Sequence, residues 1–217
     1  MKVMSELRRG LPPLPKLFEH LPIDERGYPV PWFVSKVDGK FDFRFADAAK
    51  RERAVKERRC WLCGVGIGQN LAFVIGPMCA VNRNTSEPPC HKACAEFAVQ
   101  ACPFMVLPSA KYRDAGKEEL SVKSHFGALP GNPGAVCIWI TRSFKTYDVP
   151  GGWLIRIGEP VEVSWWCEGV SATRRQILDS FERRLPALQE LAAAQGPAAE
   201  EELEAMVKKA KTYLPSS

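Results

Sequence analysis

Six of the chain's eight cysteines and one of its three histidines lie between positions 60 and 102. Cys60 and Cys63 are spaced as C-x2-C, and His91 with Cys94 forms a second close pair, H-x2-C. Two close pairs of sulfur or nitrogen ligands are what tetrahedral zinc takes in structural sites. The spacing therefore predicts one Zn²⁺ bound by Cys60, Cys63, His91 and Cys94.

The second ligand pair has an alternative, because Cys90 and Cys94 form C-x3-C. Side chains three or four positions apart on a helix point the same way, so both pairs are geometrically suitable. We favour His91 and keep Cys90 as an alternate. Cys79 and Cys102 are further alternate ligands. If they do not bind metal, we expect them to be buried, unreactive thiols. An iron–sulfur cluster is less favoured, because its recurring short-spaced run of three cysteines is missing.

The elements that would position these ligands follow from the apolar pattern. The runs LAFVIG and MCAV, joined by Gly76-Pro77, predict two strands around a turn. The segment 90–101, CHKACAEFAVQA, has helical spacing of its apolar residues. This order of knuckle, hairpin and ligand-bearing helix resembles the treble-clef zinc finger, and the H-x2-C pair is similar to the first zinc site of a LIM domain. The resemblance covers only positions 60–102.

The N-terminal part, 1–59, is predicted to contain a proline-rich arm, a strand and a basic helix. Phe41, Phe43 and Phe45 alternate with polar residues, which predicts a half-buried strand packed on the core. Stacking on nucleic-acid bases is the alternative use of such a strand. The segment 46–59 predicts a surface helix with Asp47 near its N-terminus, and gripping phosphates is the alternative role for its basic residues.

The C-terminal part is predicted to be an antiparallel sheet covered by helices. Positions 135–144 and 153–166 predict three strands, the last two forming a hairpin around Gly158-Glu159-Pro160. Two or three helices follow, starting near Ser171 or Thr173, interrupted or kinked at Pro186 and separated by Gly196-Pro197. The predicted fold class is α+β.

These patterns divide the chain into four parts. They are the arm, strand and basic helix (1–59), the treble-clef-like zinc module (60–107), a connecting segment (108–134) and the sheet with its helices (135–217). Positions 60–217 are expected to be able to form one compact unit.

Composition narrows the classes of protein. With 217 residues, of which 46% are hydrophobic, the chain is expected to be globular. It contains no apolar stretch of membrane length, and its first residues have no apolar core typical of a secretion signal, so we expect no membrane association and a cytoplasmic location. In a reducing cytoplasm, eight cysteines favour metal over disulfides. The net charge of +5 allows nucleic-acid binding without requiring it.

Two long runs resemble sequences found repeatedly in phage and prophage reading frames. They are FVIGPMCAVNRNTSEPPCHKACAEFAVQACPF and WWCEGVSATRRQILDSFERRLPALQELA. The resemblance extends from about Pro31 onward and concerns a family without assigned activity, so it assigns no catalytic role to any residue. It implies a phage-type protein that acts in the host cytoplasm on a host protein or a DNA complex.

The predicted function is binding, with zinc in a structural role. A host protein is the expected partner, and any affinity for nucleic acid is expected to be weak and salt-sensitive. The expected contact surface is the polar loop 82–89 or the exposed aromatic positions Trp165 and Trp166. In the loop, the candidate binding residues are Asn82, Arg83, Asn84 and Glu87.

A metal-dependent nuclease of the HNH type is the alternative function, because that fold also builds on a treble clef. It needs a histidine base, and His91 is already required by the predicted zinc site. His20 and His125 have no acid–base partner nearby in sequence. A zinc deaminase is disfavoured because no H-x-E motif occurs. We therefore expect no catalytic residues.

Overall fold

The computed structural model describes residues 6–107 and 132–216, which form a mixed α and β protein. After a short 3-10 helix at Lys16–Phe18, the elements in chain order are β1 (Val34–Val37), β2 (Lys40–Ala46), α1 (Ala48–Lys56), β3 (Leu71–Ile75), α2 (Pro77–Asn82), β4 (Asn84–Thr85), α3 (Lys92–Ala101), α4 (Pro103–Val106), β5 (Ala135–Thr141), β6 (Phe144–Val149), β7 (Gly152–Ile157), β8 (Pro160–Cys167), β9 (Val170–Ser171), α5 (Arg174–Gln195) and α6 (Pro197–Lys211).

The strands in the described parts of the chain form three antiparallel sheets. The largest has the order β3-β5-β8-β9, the second β4-β7-β6, and β1 with β2 forms a two-stranded hairpin. Every residue of β5 is buried, and this strand is the centre of the core. The ring of Trp165 on β8 lies 5.9 Å from that of Phe181 on α5, so a C-terminal helix packs on the large sheet. The predicted α+β class is confirmed.

The predicted hairpin between β7 and β8 is wrong, because these strands belong to different sheets. Residues 158–159 instead carry the chain from one sheet to the other. A side chain at Gly158 would collide with Ser143, so the two crossing segments touch backbone to backbone. The Gly158 N–H donates to the Ser143 carbonyl at 2.9 Å, and the Thr141 hydroxyl donates to the Glu159 carbonyl at 2.7 Å. The actual hairpin is β6–β7.

The predicted second strand of the zinc module is also wrong, because Met78 to Val81 lie in helix α2. Gly76 is its N-cap and Pro77 occupies the first turn, where the missing N–H of proline costs nothing. The helix ends at Arg83, which has a left-handed conformation with φ 57°. β3 therefore does not form the predicted local hairpin and pairs with β5.

The proline-rich arm packs along the rest of the protein. Phe18 is buried, and its ring meets that of Phe97 on α3 edge-on at 5.2 Å. Leu11, Leu14 and Leu17 are partly buried against the same core. The arm therefore covers the helix that carries His91 and Cys94 in its N-terminal turn.

Helix α1 begins as predicted, with the Asp47 side chain accepting from the Lys50 N–H at 3.0 Å. Arg51 on this helix points inward: its guanidinium donates to the carbonyls of Ser86 and Trp153, both at 2.8 Å, and lies 3.6 Å from the centre of the Trp153 ring. Burial lowers the pKa of Arg51. This basic residue anchors α1 to the sheets, which leaves it unavailable to phosphates.

The C-terminal helices follow their local signals. Thr173 caps α5, and Gln176 completes a capping box by accepting from the Thr173 N–H at 2.9 Å. The helix continues past Pro186 as one element and ends at Gly196, after which Pro197 starts α6.

Candidate metal centre

The first ligand pair lies on a tight turn that brings both thiols to one side. The Cys60 N–H donates to the Val65 carbonyl at 2.7 Å, the Gly64 N–H donates to the Cys60 carbonyl at 2.8 Å, and the Cys63 N–H points at the Cys60 sulfur at 3.4 Å. Gly64 has φ 76°, and a Cβ there would lie 2.7 Å from the Trp32 ring. Glycine is therefore required at this position.

The second pair lies where α3 begins. His91 is the N-cap of the helix and Cys94 is in its first turn, so both side chains face the knuckle. The segment before them is held in place because Cys90 and Ala72 exchange two backbone hydrogen bonds, of 2.7 and 2.9 Å. The Trp61 N–H also donates to the Pro89 carbonyl at 3.0 Å. These bonds fix the distance between the two ligand pairs.

The ligand atoms of Cys60, Cys63, His91 and Cys94 all lie within 4.8 Å of one another. The Nδ1 atom of His91 is 3.5 Å from the Cys63 sulfur and 3.8 Å from the Cys94 sulfur. Tetrahedral bonds of roughly 2.3 Å to sulfur and 2.0 Å to nitrogen place such ligands about 3.6 Å apart. The three cysteines are fully buried. The group therefore has the donor set, the spacing and the burial of a site that could hold a metal ion.

The other nitrogen of His91 is oriented by the backbone. Nε2 lies 3.1 Å from the Gly66 carbonyl oxygen, so the proton belongs on Nε2 and the Nδ1 lone pair faces the sulfurs. Metal-bound histidines commonly donate their second N–H in this way, which fixes the ring and its tautomer. His20 makes a related contact on the other side of the knuckle, where Nε2 lies 2.9 Å from the Cys63 carbonyl oxygen.

Because the three thiols are packed together, their pKa values shift in different directions. Hydrogen bonding with Cys63 and Cys94 holds the pKa of Cys60 far below that of an ordinary thiol. The same hydrogen bond with Cys60 raises the pKa of Cys63, and those with Cys60 and Cys63 raise that of Cys94. The three thiols therefore compete for the same hydrogen bonds. A divalent cation would remove this competition, because each cysteine could then bind as a thiolate.

The three alternate cysteines lie outside this group. Cys90 is buried and its thiol donates to the Ala72 carbonyl at 3.1 Å, and burial raises its pKa well above the ordinary value. Cys79 is on α2, and Cys102 follows the last turn of α3. Burial raises the pKa of both. These thiols are therefore less reactive than ordinary ones.

The predicted binding loop is more ordered than its composition suggested. Asn82 ends α2 and its side chain accepts from the Asn84 N–H at 2.9 Å, while Asn84 itself is in β4. Arg83 forms an ion pair with Glu159, which also accepts from Lys209 on α6. Glu87 is exposed. The binding role of these residues remains a prediction, but Arg83 already links α2 to the C-terminal helix.

The predicted aromatic contact surface is partly wrong. Trp165 is buried, and its indole N–H donates to the Tyr213 carbonyl at 3.1 Å. Trp166 is half-buried, with its N–H donating to the Ser164 hydroxyl at 3.1 Å. Alternation on β8 placed one tryptophan on each face, and α5 covers the face of Trp165. His125 and most of the predicted connecting segment 108–134 lie outside the described residues.

Comparison with known proteins identifies no relative. No protein-family model matches the chain, and no significant match was found among curated proteins or solved structures. In the described parts of the chain, no helix is both long and apolar enough to span a membrane.

Proposed function

We propose that the chain is a zinc-stabilised binding protein in which the metal is structural. The observation that carries this proposal is the buried group of three cysteine sulfurs and the His91 Nδ1 atom, within 4.8 Å of one another. Four protein ligands complete a tetrahedron and leave no position for a substrate or a reactive water, whereas catalytic zinc sites keep one position open. When bound, zinc would join the knuckle to α3 as a cross-link.

The surroundings of the site support a structural role. The knuckle, β3 and α3 share one continuous core with the large sheet and the N-terminal arm. His91 and His20 both contact backbone carbonyls of the knuckle, at 3.1 and 2.9 Å. These two histidines, the two that lie in the described residues, therefore serve the local structure, and neither is left as the free base that the nuclease alternative needs. In a phage-type protein, the partner would be a host protein or a nucleic-acid complex in the host cytoplasm.

The proposed metal centre can be tested by asking whether His91 or Cys90 is one of its four ligands. His91→Ala removes the nitrogen ligand, so we expect the purified protein to lose most of its zinc. Cys90→Ala leaves all four ligands in place, so zinc should remain near one per chain although the loss of a buried side chain lowers stability. Elemental analysis of both variants, purified without added metal, makes the comparison. Zinc loss in Cys90→Ala with retention in His91→Ala would move the site to the thiolate alternative.

A further inference from the structure

The hairpin formed by β1 and β2, residues 34–46, has an unusual surface, and we call it the aromatic hairpin. The sequence predicted that its phenylalanines pack into the core, and this prediction is wrong. Phe41 and Phe43 are 37% and 36% exposed, and Val37 is 41% exposed. Within the described residues, the two strands pair only with each other. A contiguous group of partly exposed apolar side chains is typical of a surface that contacts something else.

Cations lie beside these rings. The Lys36 ammonium is 4.8 Å from the centre of the Phe41 ring, and the Arg26 guanidinium is 5.0 Å from that of Phe43. Register explains the first contact, because Lys36 and Phe41 are directly paired across the hairpin. Arg44 lies 5.6 Å from the ring of Phe45. Each ring of β2 therefore has a positive charge next to it.

The acidic residues among these cations are shielded. Asp42 pairs with Arg44, but the carboxylate side chain is 18% exposed and the arginine 49%. Asp24 pairs with Arg26, and the aspartate side chain is 12% exposed whereas the arginine side chain is 58% exposed. The ion pairs therefore present their positive partners to solvent. Asp38 is the exposed carboxylate at the hairpin turn, and the exposed Lys40 follows it at the start of β2.

We propose that the aromatic hairpin binds single-stranded nucleic acid. Bases would stack on Phe41 and Phe43, and phosphates would contact the nearby cations: Arg26 and Lys36 beside these rings, Arg44 beside Phe45, and the exposed Lys40. Interleaved rings and cations are the combination by which proteins hold single strands without reading their sequence. A duplex fits less well, because its bases are already stacked on each other. Single-stranded nucleic acid would thus be the partner in the proposed binding function, on which this inference rests. The surface that binds it is separate from the metal centre.

The candidate metal centre supports the base of the aromatic hairpin. The Trp32 N–H donates to the Leu62 carbonyl at 2.7 Å, and the Phe33 ring stacks on Trp61 at 4.7 Å with 12° between the planes. Both contacts join the knuckle to the residues that lead into β1. Val34, the first residue of the strand, is buried. The exposed rings are therefore held by a rigid base, which limits the entropy lost on binding.

The test is fluorescence anisotropy with labelled oligothymidylate and oligouridylate of about 20 nucleotides at low salt, a length that exceeds a typical single-strand site. We expect binding of at least one of the two by the wild-type protein. Phe41→Ala combined with Phe43→Ala should weaken it about 30-fold or more, because each stacked base contributes at least about 1 kcal/mol, which is roughly fivefold in affinity. Phe41→Tyr with Phe43→Tyr should retain affinity, and Val161→Ala with Val170→Ala, which alters exposed residues of the large sheet, should leave it unchanged.

Zinc content and thermal unfolding of every variant separate this proposal from the proposed structural metal. The variant with Phe41→Ala and Phe43→Ala should keep the zinc content and the unfolding temperature of the wild type, since the two rings are exposed. If it unfolds, Lys36→Gln with Lys40→Gln provides the second test, and the slope of log affinity against log salt should fall by roughly one to two. Equal affinity for a duplex, no binding to either single strand, or unchanged affinity in the alanine pair would overturn the proposal. Self-association that only the alanine pair abolishes would instead make the surface an interface between copies.

Discussion

Cys60→Ser is expected to leave the protein without zinc and largely unfolded at room temperature. A structural zinc site contributes on the order of 10 kcal/mol to folding in small modules. Whole domains are stable by about 5–15 kcal/mol, so loss of the site removes most or all of this margin. Cys60 is fully buried, and its serine replacement puts a hydroxyl, a poor zinc ligand, where the site needs a thiolate.

Elemental analysis measures the zinc content of the Cys60→Ser variant, and circular dichroism measures whether it is folded. Cys102→Ser is the matched control, because Cys102 is only half-buried and lies outside the four-residue group. It should keep near-equimolar zinc and a cooperative unfolding transition. A wild-type sample that is fully folded after chelation, or a Cys60→Ser variant as stable as the control, would contradict the structural role of the metal.

Trp139→Ala should produce the second largest loss, about 3–5 kcal/mol in the free energy of unfolding. Trp139 is fully buried in β5, and its indole N–H donates to the Gly158 carbonyl at 2.9 Å. Its ring meets that of Tyr213 edge-on at 5.0 Å, beyond the end of α6. Truncation therefore opens a cavity between the large sheet and the C-terminus, and also leaves the carbonyl of the crossing segment without its partner.

Urea unfolding of zinc-loaded protein measures this loss. Trp139→Phe retains a ring but not the hydrogen bond, so we expect about 1–3 kcal/mol. Trp166→Ala, at a half-buried tryptophan of β8, should cost less than Trp139→Ala. A loss below about 1 kcal/mol for Trp139→Ala would show that β5 is not the centre of the core.

The elements predicted correctly are those specified by short-range signals. Asp47 and Thr173 identify helix starts because a capping side chain bonds to an N–H two or three residues away. Short-range signals also explain why the four ligand candidates were predicted correctly as a group. A tight turn positions Cys60 and Cys63, and the first turn of α3 positions His91 and Cys94. The His91 tautomer was not predictable, because it depends on the Gly66 carbonyl.

The errors concern partners distant in sequence. Gly158-Glu159-Pro160 has hairpin composition, but the pairing of β8 with β5 is decided by packing across the core. The run Met78 to Val81 is too short for periodicity to distinguish a strand from a helix, and Pro77 in the first turn was the overlooked signal. Alternation in β2 correctly indicated a strand, but alternation alone does not identify which face, if any, is covered.

The pairing of β3 with β5 has a consequence for the order of folding. β3 cannot find its neighbour until residues 135–141 have left the ribosome, whereas the knuckle and the first turn of α3 are complete once Cys94 has been synthesised. Closing the shorter loop costs less chain entropy, so under the proposed function metal capture would precede formation of the large sheet. Without an earlier contact, both edges of β3 would be open to other chains during that interval. An early metal-bound knuckle would hold the Cys90 segment against Ala72 and cover one of those edges while the nascent chain lengthens.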